Sequence, residues 1–346
     1  MDLNFRSDNE SPAAPEIMAA INAANQGSAW SYGADKWTSR LNRSFSELFG
    51  TEVAVLPIST AIAANSIALS CLTPTWGSVY CHSGAHILNM EGGAPEFFGY
   101  GLRLVGVSGE MGKLNAQQFR KAVSAGQGRG VHSYLPSSCS LTQSTEVGTV
   151  YQPAEVAELC GAAAEFAMSV HMDGARFANA VASLGCSPAE SSWQAGVRML
   201  SFGASKNGCC AAEALLIFGD NALMDHAERM RKRSGHLLSK MRFVSAQLLA
   251  YIEDGLWLRL ASHANAQAAR FAAAVEAHPA ARLEYPVQAN EVFVRWSAAG
   301  FEALEAAGAQ FLLWPGYDDL ARFVFSHCSS EEVTEKLCAL IAGINT

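Results

Sequence analysis

An α/β fold built on a mostly parallel central sheet is what this 346-residue sequence predicts. Two observations predict it: short apolar segments alternate regularly with helical ones from position 53 to 218, and longer helices follow beyond Asn221. The first fifty residues read as a polar arm and two helices. Residues 15–25 place Ile17, Met18 and Ile21 at helical spacing, and residues 37–49 do the same with Leu41, Phe45, Leu48 and Phe49 before Gly50 stops them. A short buried strand at 53–56 runs into Ser59 and Thr60, and a helix at 61–72 follows.

From there, strands are expected at 79–81, 102–107, 133–142, 167–172, 197–202 and 214–218. Helices are expected at 114–124, with Leu114, Phe119 and Val123 inward, at 153–166, opened by Pro153, and at 188–195. A cationic helix at 225–249 carries Arg229, Arg231, Lys232, Arg233, Lys240 and Arg242, and an Ala-rich one covers 262–277. Strands at 291–296 and 322–326 and a closing helix at 330–341 suggest a smaller α+β unit. The expected organisation is an arm at 1–50, a large α/β domain at 51–250 and a small C-terminal domain at 251–346.

Composition narrows the function. Hydrophobic residues make up 50% and charged residues 16%, against a usual charged share of about 25%. Disorder is excluded, and hidden subunit surface is suggested. A formal charge of −8 does not suit a polyanion, so neither nucleic acid nor an acidic membrane is an expected partner. The nine cysteines are scattered and contain no CxxC, so reduced cytosolic thiols are expected and no metal site is. The N-terminus lacks the pattern of a secretory signal, which fits a cytoplasmic protein. Residues 53–90 carry no Asp, Glu, Lys or Arg, but Pro57, Asn65, Pro74 and Gly77 interrupt them. The apolar piece at 61–72 is far short of the ~20 residues a span needs, so it reads as a buried helix.

Two strand ends carry the chemistry. Asp173 ends one strand and Lys206 follows the next. In α/β sheets ligands sit beyond the carboxyl ends of strands. A lysine and an aspartate so placed suit pyridoxal phosphate, which needs an amine for a Schiff base and a carboxylate for its pyridine nitrogen. Position alone serves a salt bridge at the sheet edge equally well.

The local sequences His171-Met172-Asp173-Gly174-Ala175-Arg176 and Ser201 to Gly208 resemble the low-specificity L-threonine aldolases and their phenylserine aldolase relatives. These belong to the β-eliminating-lyase superfamily of fold type I pyridoxal-phosphate enzymes. The resemblance extends through Phe5-Arg6-Ser7-Asp8-Asn9, Tyr32-Gly33, Gly93 to Phe98, Thr142 to Gly148, Ser239 to Phe243 and Ala321 to Val324. It implies retro-aldol cleavage of an L-β-hydroxy-α-amino acid to glycine and an aldehyde. Lys206 is implied as the Schiff-base lysine and Asp173 as the partner of the pyridine nitrogen. Arg176, Ser7 and Arg322 are implied to grip the substrate carboxylate, with Tyr32 also at the substrate. His86 is implied to stack on the cofactor ring, and either His86 or Glu146 to take the β-hydroxyl proton. His82, four residues before His86, reads as structural, and Arg176 has the alternative of pairing with Asp173.

The resemblance further implies that Thr60, Ala61 and Ile62 receive the phosphate, with Lys232 and Lys240 reaching a neighbouring subunit's cofactor in a homotetramer built from dimers. Three departures stand out. Ala61-Ile62 replaces the family's Gly-Thr, which leaves phosphate binding to backbone N–H groups and Thr60. Glu146 stands where many threonine aldolases have a second histidine. Met90 stands where relatives have an acid or an aromatic, and it either lines the aldehyde pocket or packs in the core. The rival readings are β-elimination or transamination on the same cofactor, or a cofactor-poor, non-catalytic relative.

Overall fold

The computed structural model describes residues 2–344 apart from positions 129 and 220. The chain opens with a two-residue strand, β1 (Leu3–Asn4), followed by helices α1 (Pro15–Ala24) and α2 (Thr38–Phe49). Pro15 takes the first turn of α1, where an N–H has no intrahelical partner to lose. In α2, Leu41, Phe45 and Phe49 recur every four residues and are buried, and Gly50 ends the helix at φ 65°. That left-handed conformation favours glycine.

The central layer then runs β2 (Val53–Ile58), α3 (Ala61–Leu72), β3 (Gly77–His82), α4 (His86–Asn89), α5 (Ala94–Phe98) and β4 (Arg103–Val107). It continues with α6 (Ala116–Gly126), β5 (Leu135–Thr142), α7 (Pro153–Ala164), β6 (Ser169–Gly174), α8 (Phe177–Leu184), β7 (Met199–Gly203) and β8 (Glu213–Phe218). Strands β2 to β8 form one seven-stranded sheet in the order β2-β8-β7-β6-β5-β3-β4. Six strands share one direction. Only β8 is reversed, pairing antiparallel with both β2 and β7, and it follows β7 without an intervening α-helix. The carboxyl ends of β2, β3, β5, β6 and β7 therefore lie on one edge of the sheet.

Residues 63–70 of α3 are all buried, as an apolar helix laid across the face of β6, β7 and β8 requires. Pro57 is tolerated in β2 because that strand is at the sheet edge. The core of this layer holds Phe45, Phe49, Phe177, Phe202 and Trp257 in successive ring contacts. Among the described residues no helix is long and apolar enough to cross a membrane.

Helices α9 (Met224–Arg233), α10 (Arg242–Ile252) and α11 (Leu256–Glu276) lead to the C-terminal part. There β9 (Arg282–Leu283), β10 (Glu291–Arg295), α12 (Ala298–Ala306), β11 (Ala309–Gln310), β12 (Leu312–Leu313), β13 (Leu320–Val324) and α13 (Glu331–Gly343) follow. A four-stranded antiparallel sheet has the order β12-β13-β10-β9. Strand β1 pairs in parallel with β11, and Phe5 is buried with Phe271, Phe311, Phe323 and Phe325. The N-terminal arm is thus sewn to the C-terminal sheet, which carries Ser7 and Asp8 to the ends of β10 and β13.

Two expected helices differ. The segment 225–249 is broken into α9 and α10, with Gly235 at φ 82° in the gap. The segment 188–195 is a series of turns with one 3-10 turn at Trp193–Ala195. There Ser187 ties its N–H and hydroxyl to Glu190, and Ser192 leaves the helical region at φ −140°, ψ −101°. Serine side chains that bond nearby backbone compete with the helix in this way. Helices α4, α5, α8 and α12 were not expected.

Candidate active site

Asp173 and Lys206 stand at neighbouring strand ends, β6 pairing with β7 so that Asp173 lies opposite Ser201. Asp173 is 2% exposed; Ala175 donates its N–H to Oδ1 at 3.0 Å and Asn65 donates from Nδ2 to Oδ2 at 2.9 Å. Lys206 sits in a 3-10 turn, Ser205–Asn207. Ala204 N–H donates to Glu213 Oε2 at 2.8 Å, and Asn207 Nδ2 donates to Tyr251 Oη at 2.7 Å and to the Trp257 carbonyl at 2.8 Å. These bonds hold the turn on both sides of the lysine. A Cβ on Gly203 would lie 2.5 Å from the Ala175 carbonyl, so glycine is what lets the two strand ends approach. The salt-bridge alternative is not what forms: both Asp173 oxygens are taken by Asn65 and Ala175. Burial, then the charge of Arg176, lowers the Lys206 pKa against the opposing pull of Asp8, Asp173 and Glu291.

His86 opens α4, just past β3. Its backbone N–H donates to Glu146 Oε1 at 2.8 Å, and its Nδ1 lies 2.9 Å from Glu91 Oε1. The second amide hydrogen of Asn65 goes to the same Glu91 oxygen at 2.8 Å. Burial pushes the Glu146 carboxyl up to about 7 and also raises Glu91. The hydrogen bond to Glu91 raises the pKa of His86. His82 is structural, as the sequence suggests: Nδ1 accepts from Gly84 N–H and Nε2 meets the Gly109 carbonyl, each at 3.1 Å. Beneath Asp173 on β6, fully buried His171 bridges Ser140 and Ser201 at 3.0 Å each, and burial lowers its pKa to about 4.

Arg176 does not pair with Asp173. Its Nε and Nη2 fork onto Asp8 at 2.8 and 3.0 Å, and Nη1 lies 3.0 Å from Glu291 Oε2 without an aligned N–H. Burial works against the Asp8 carboxylate, yet Arg176 brings its pKa below the usual value. Burial raises that of Glu291. Arg322, on β13, lies over the Trp314 ring and makes two long hydrogen bonds, 3.4 Å to Glu291 Oε1 and 3.4 Å to the Arg6 carbonyl; its buried Nε has no hydrogen-bond partner among the described residues. Ser7 Oγ accepts from Asn9 N–H at 3.1 Å, which leaves its own hydrogen to donate.

Thr60 caps α3, its Oγ1 accepting from Ala63 N–H at 3.3 Å. The N–H groups of Ala61 and Ile62 lead this twelve-residue helix, as an anion site requires. His236 meets Ser59 Oγ at 3.0 Å, bringing the α9–α10 loop to the same corner. Lys232 lies over the ring of Tyr32 at 4.7 Å from its centroid. Lys240 is exposed, and Tyr32, Met90 and Ile62 are 51%, 69% and 39% exposed. In a single chain these side chains face outward, so the core-packing alternative for Met90 does not hold.

Asn65, Glu91, Asp8, Glu291 and Glu213 are members of this cluster that the sequence reading did not single out. Asn65 carried a signal, as the one amide in a mostly apolar helix without charged residues, and Glu291 another, as a charge opening an apolar strand.

The donor set fits pyridoxal 5′-phosphate. An amine with a lowered pKa, a buried carboxylate fixed in place and a helix N-terminus with open N–H groups lie on one sheet edge. The comparisons agree. The chain matches the beta-eliminating lyase family over residues 4–299. It is 41% identical over 340 residues to a low-specificity L-threonine aldolase of Pseudomonas sp. (strain NCIMB 10558), covering 98% of this chain and 97% of that one. It is 43% identical to the Pseudomonas aeruginosa protein of the same name, over 98% and 96% of the two chains. The solved Leishmania major threonine aldolase superposes with a TM-score of 0.91 at 26% identity, over 98% of both chains. The sheet with one reversed strand and the small C-terminal sheet are the architecture of fold type I pyridoxal-phosphate enzymes. On sequence and fold together, this chain belongs to the beta-eliminating lyase family.

Proposed function

We propose that the protein is a pyridoxal-phosphate-dependent aldolase that cleaves L-β-hydroxy-α-amino acids of the threonine, allo-threonine and phenylserine type to glycine and an aldehyde. The observation that carries this reading is the pairing of Lys206 and Asp173 at adjacent strand ends with the His86–Glu91–Glu146 group beside them. When bound, pyridoxal phosphate supplies a carbonyl for the substrate amine and a ring that accepts the electron pair left at Cα.

With the cofactor bound, Lys206 is the amine that would hold it, a task its lowered pKa favours. Asp173, fixed by Asn65 and Ala175, keeps the pyridine nitrogen protonated. Thr60 and the N–H groups of Ala61 and Ile62 receive the phosphate, with Lys232 and Lys240 supplied across a subunit contact. His86 would contact the cofactor ring when it is bound and would take the β-hydroxyl proton at Nε2, since Nδ1 is engaged by Glu91. Glu146 holds the His86 backbone in place and is the other candidate to take the proton. Tyr32 and Met90 border the side that receives the aldehyde substituent, and their exposure in one chain suits closure by a second copy, in a homotetramer built from dimers.

The substrate carboxylate is placed on Arg322, Ser7 and Arg176. Arg322 has the free buried Nε; after its fork to Asp8, Arg176 keeps one N–H on Nη2 and both on Nη1. Arg322→Ala is therefore expected to raise KM about tenfold to a hundredfold, the worth of roughly 1.5–3 kcal/mol for a charged hydrogen bond, while cofactor affinity changes little. Steady-state kinetics with L-threonine, beside a cofactor titration, check this. An unchanged KM with reduced kcat would count against the assignment.

A further inference from the structure

We propose that Asn65 and Glu91 are positioning residues for His86, acting as one unit that sets which ring nitrogen is free and how readily it takes a proton. This rests on the reading of His86 as the proton acceptor. Asn65 Nδ2 donates to Asp173 Oδ2 at 2.9 Å and to Glu91 Oε1 at 2.8 Å, so a single amide bridges two buried carboxylates. Without a donor between them, two carboxylates so close and so buried could not both stay ionised. The buried amide of Asn65 in α3 offers two hydrogens from one atom and no charge.

With Glu91 ionised, its Oε1 accepts the Nδ1–H of His86 at 2.9 Å, which leaves the lone pair of the neutral ring on Nε2. The groups facing His86 come from four elements. Glu91 lies on its own segment, Glu146 on the loop after β5, Asp173 at the end of β6 and Lys206 on the turn after β7. Of these, Glu91 makes the ring hydrogen bond, so the state of Glu91 decides the basicity of the ring.

The sign of the effect follows. A base works unprotonated, so kcat/KM falls on the acid side as His86 takes a proton. Glu91→Gln removes the charge that favours the imidazolium, so that acid limb moves to lower pH. Asn65→Leu leaves Glu91 facing Asp173 without the bridging amide, Glu91 takes up a proton, and the limb again moves to lower pH. Because both changes act through one carboxylate, the double variant shifts no further than the larger single shift. Glu91→Asp retains the charge and keeps the limb near that of the wild type.

The test is the pH profile of kcat/KM for wild type, both single variants and the double, all as holoenzyme. A second readout is the ring ¹⁵N spectrum of histidine-labelled holoenzyme, with the His86 signal assigned by its loss in His86→Gln. The account expects the Nδ1–H tautomer in the wild type and a changed tautomer balance in Glu91→Gln and Asn65→Leu. Shifts that add in the double variant, or an unmoved limb and unchanged tautomer in both single variants, would overturn the proposal. An enzyme that forms no glycine and aldehyde would defeat the aldolase reading instead, while the ¹⁵N spectra would still decide the link between Asn65, Glu91 and His86.

Discussion

Lys206→Ala is expected to abolish covalent attachment of the cofactor and to lower turnover by on the order of a thousandfold or more, the scale seen when a covalent catalytic group is removed. The fold should survive. The turn that carries the lysine is held by Ala204, Asn207 and Glu213, none of which is bonded to the lysine side chain. The variant also removes a cation that burial and Arg176 already disfavour. Absorption of the lysine-bound cofactor in the visible range, far-ultraviolet circular dichroism and glycine formation check the three parts. Wild-type visible absorption in the variant would place the attachment on another residue.

Arg176→Met is expected to destabilise the chain by about 3–5 kcal/mol, the usual cost of leaving buried charges without their partner. The guanidinium is wedged between Asp8 and Glu291, and all three side chains are at least nine-tenths buried. Arg176→Lys restores the charge without the planar fork and should recover only part of the loss. Asp8 also gives the contact a pH dependence. Its pKa is lowered in the folded chain, so its contribution is complete above the pKa of an unfolded aspartate and is lost as pH falls through the lowered value. Urea unfolding at neutral pH and at pH values below the ordinary aspartate pKa of about 3.9 measures both effects. A change below about 1 kcal/mol at neutral pH would mean that the two carboxylates are protonated or solvated without Arg176.

The sheet was legible because apolar strands and helices alternate in the sequence without gaps, and the strand ends at Asp173 and Lys206 followed from the same pattern. The ends of elements were less legible. Nothing in the cationic run from Arg229 to Arg242 marks a break except Ser234-Gly235, and a helix interior tolerates that pair often enough to hide it. The reversal of β8 was invisible, because strand direction depends on the connection and not on the strand's own residues. In the site, the motifs named candidate residues and not the partners that surround them. Asp8 stands in the Phe5 to Asn9 segment, but only the pairing of β1 with β11 brings it to Arg176. Glu91 follows exposed Met90 in sequence, yet the turn after α4 sends one side chain outward and the other under His86. Contacts between residues far apart in sequence arise from topology, and a local reading contains no signal for them.

The central claim is that this site breaks the Cα–Cβ bond of a β-hydroxy amino acid. The most direct measurement is a product balance after incubating the purified holoprotein with L-threonine. The account predicts glycine and acetaldehyde in equal amounts, with no ammonia released. Ammonia with 2-oxobutanoate in place of glycine and acetaldehyde would show elimination at the same site and contradict it.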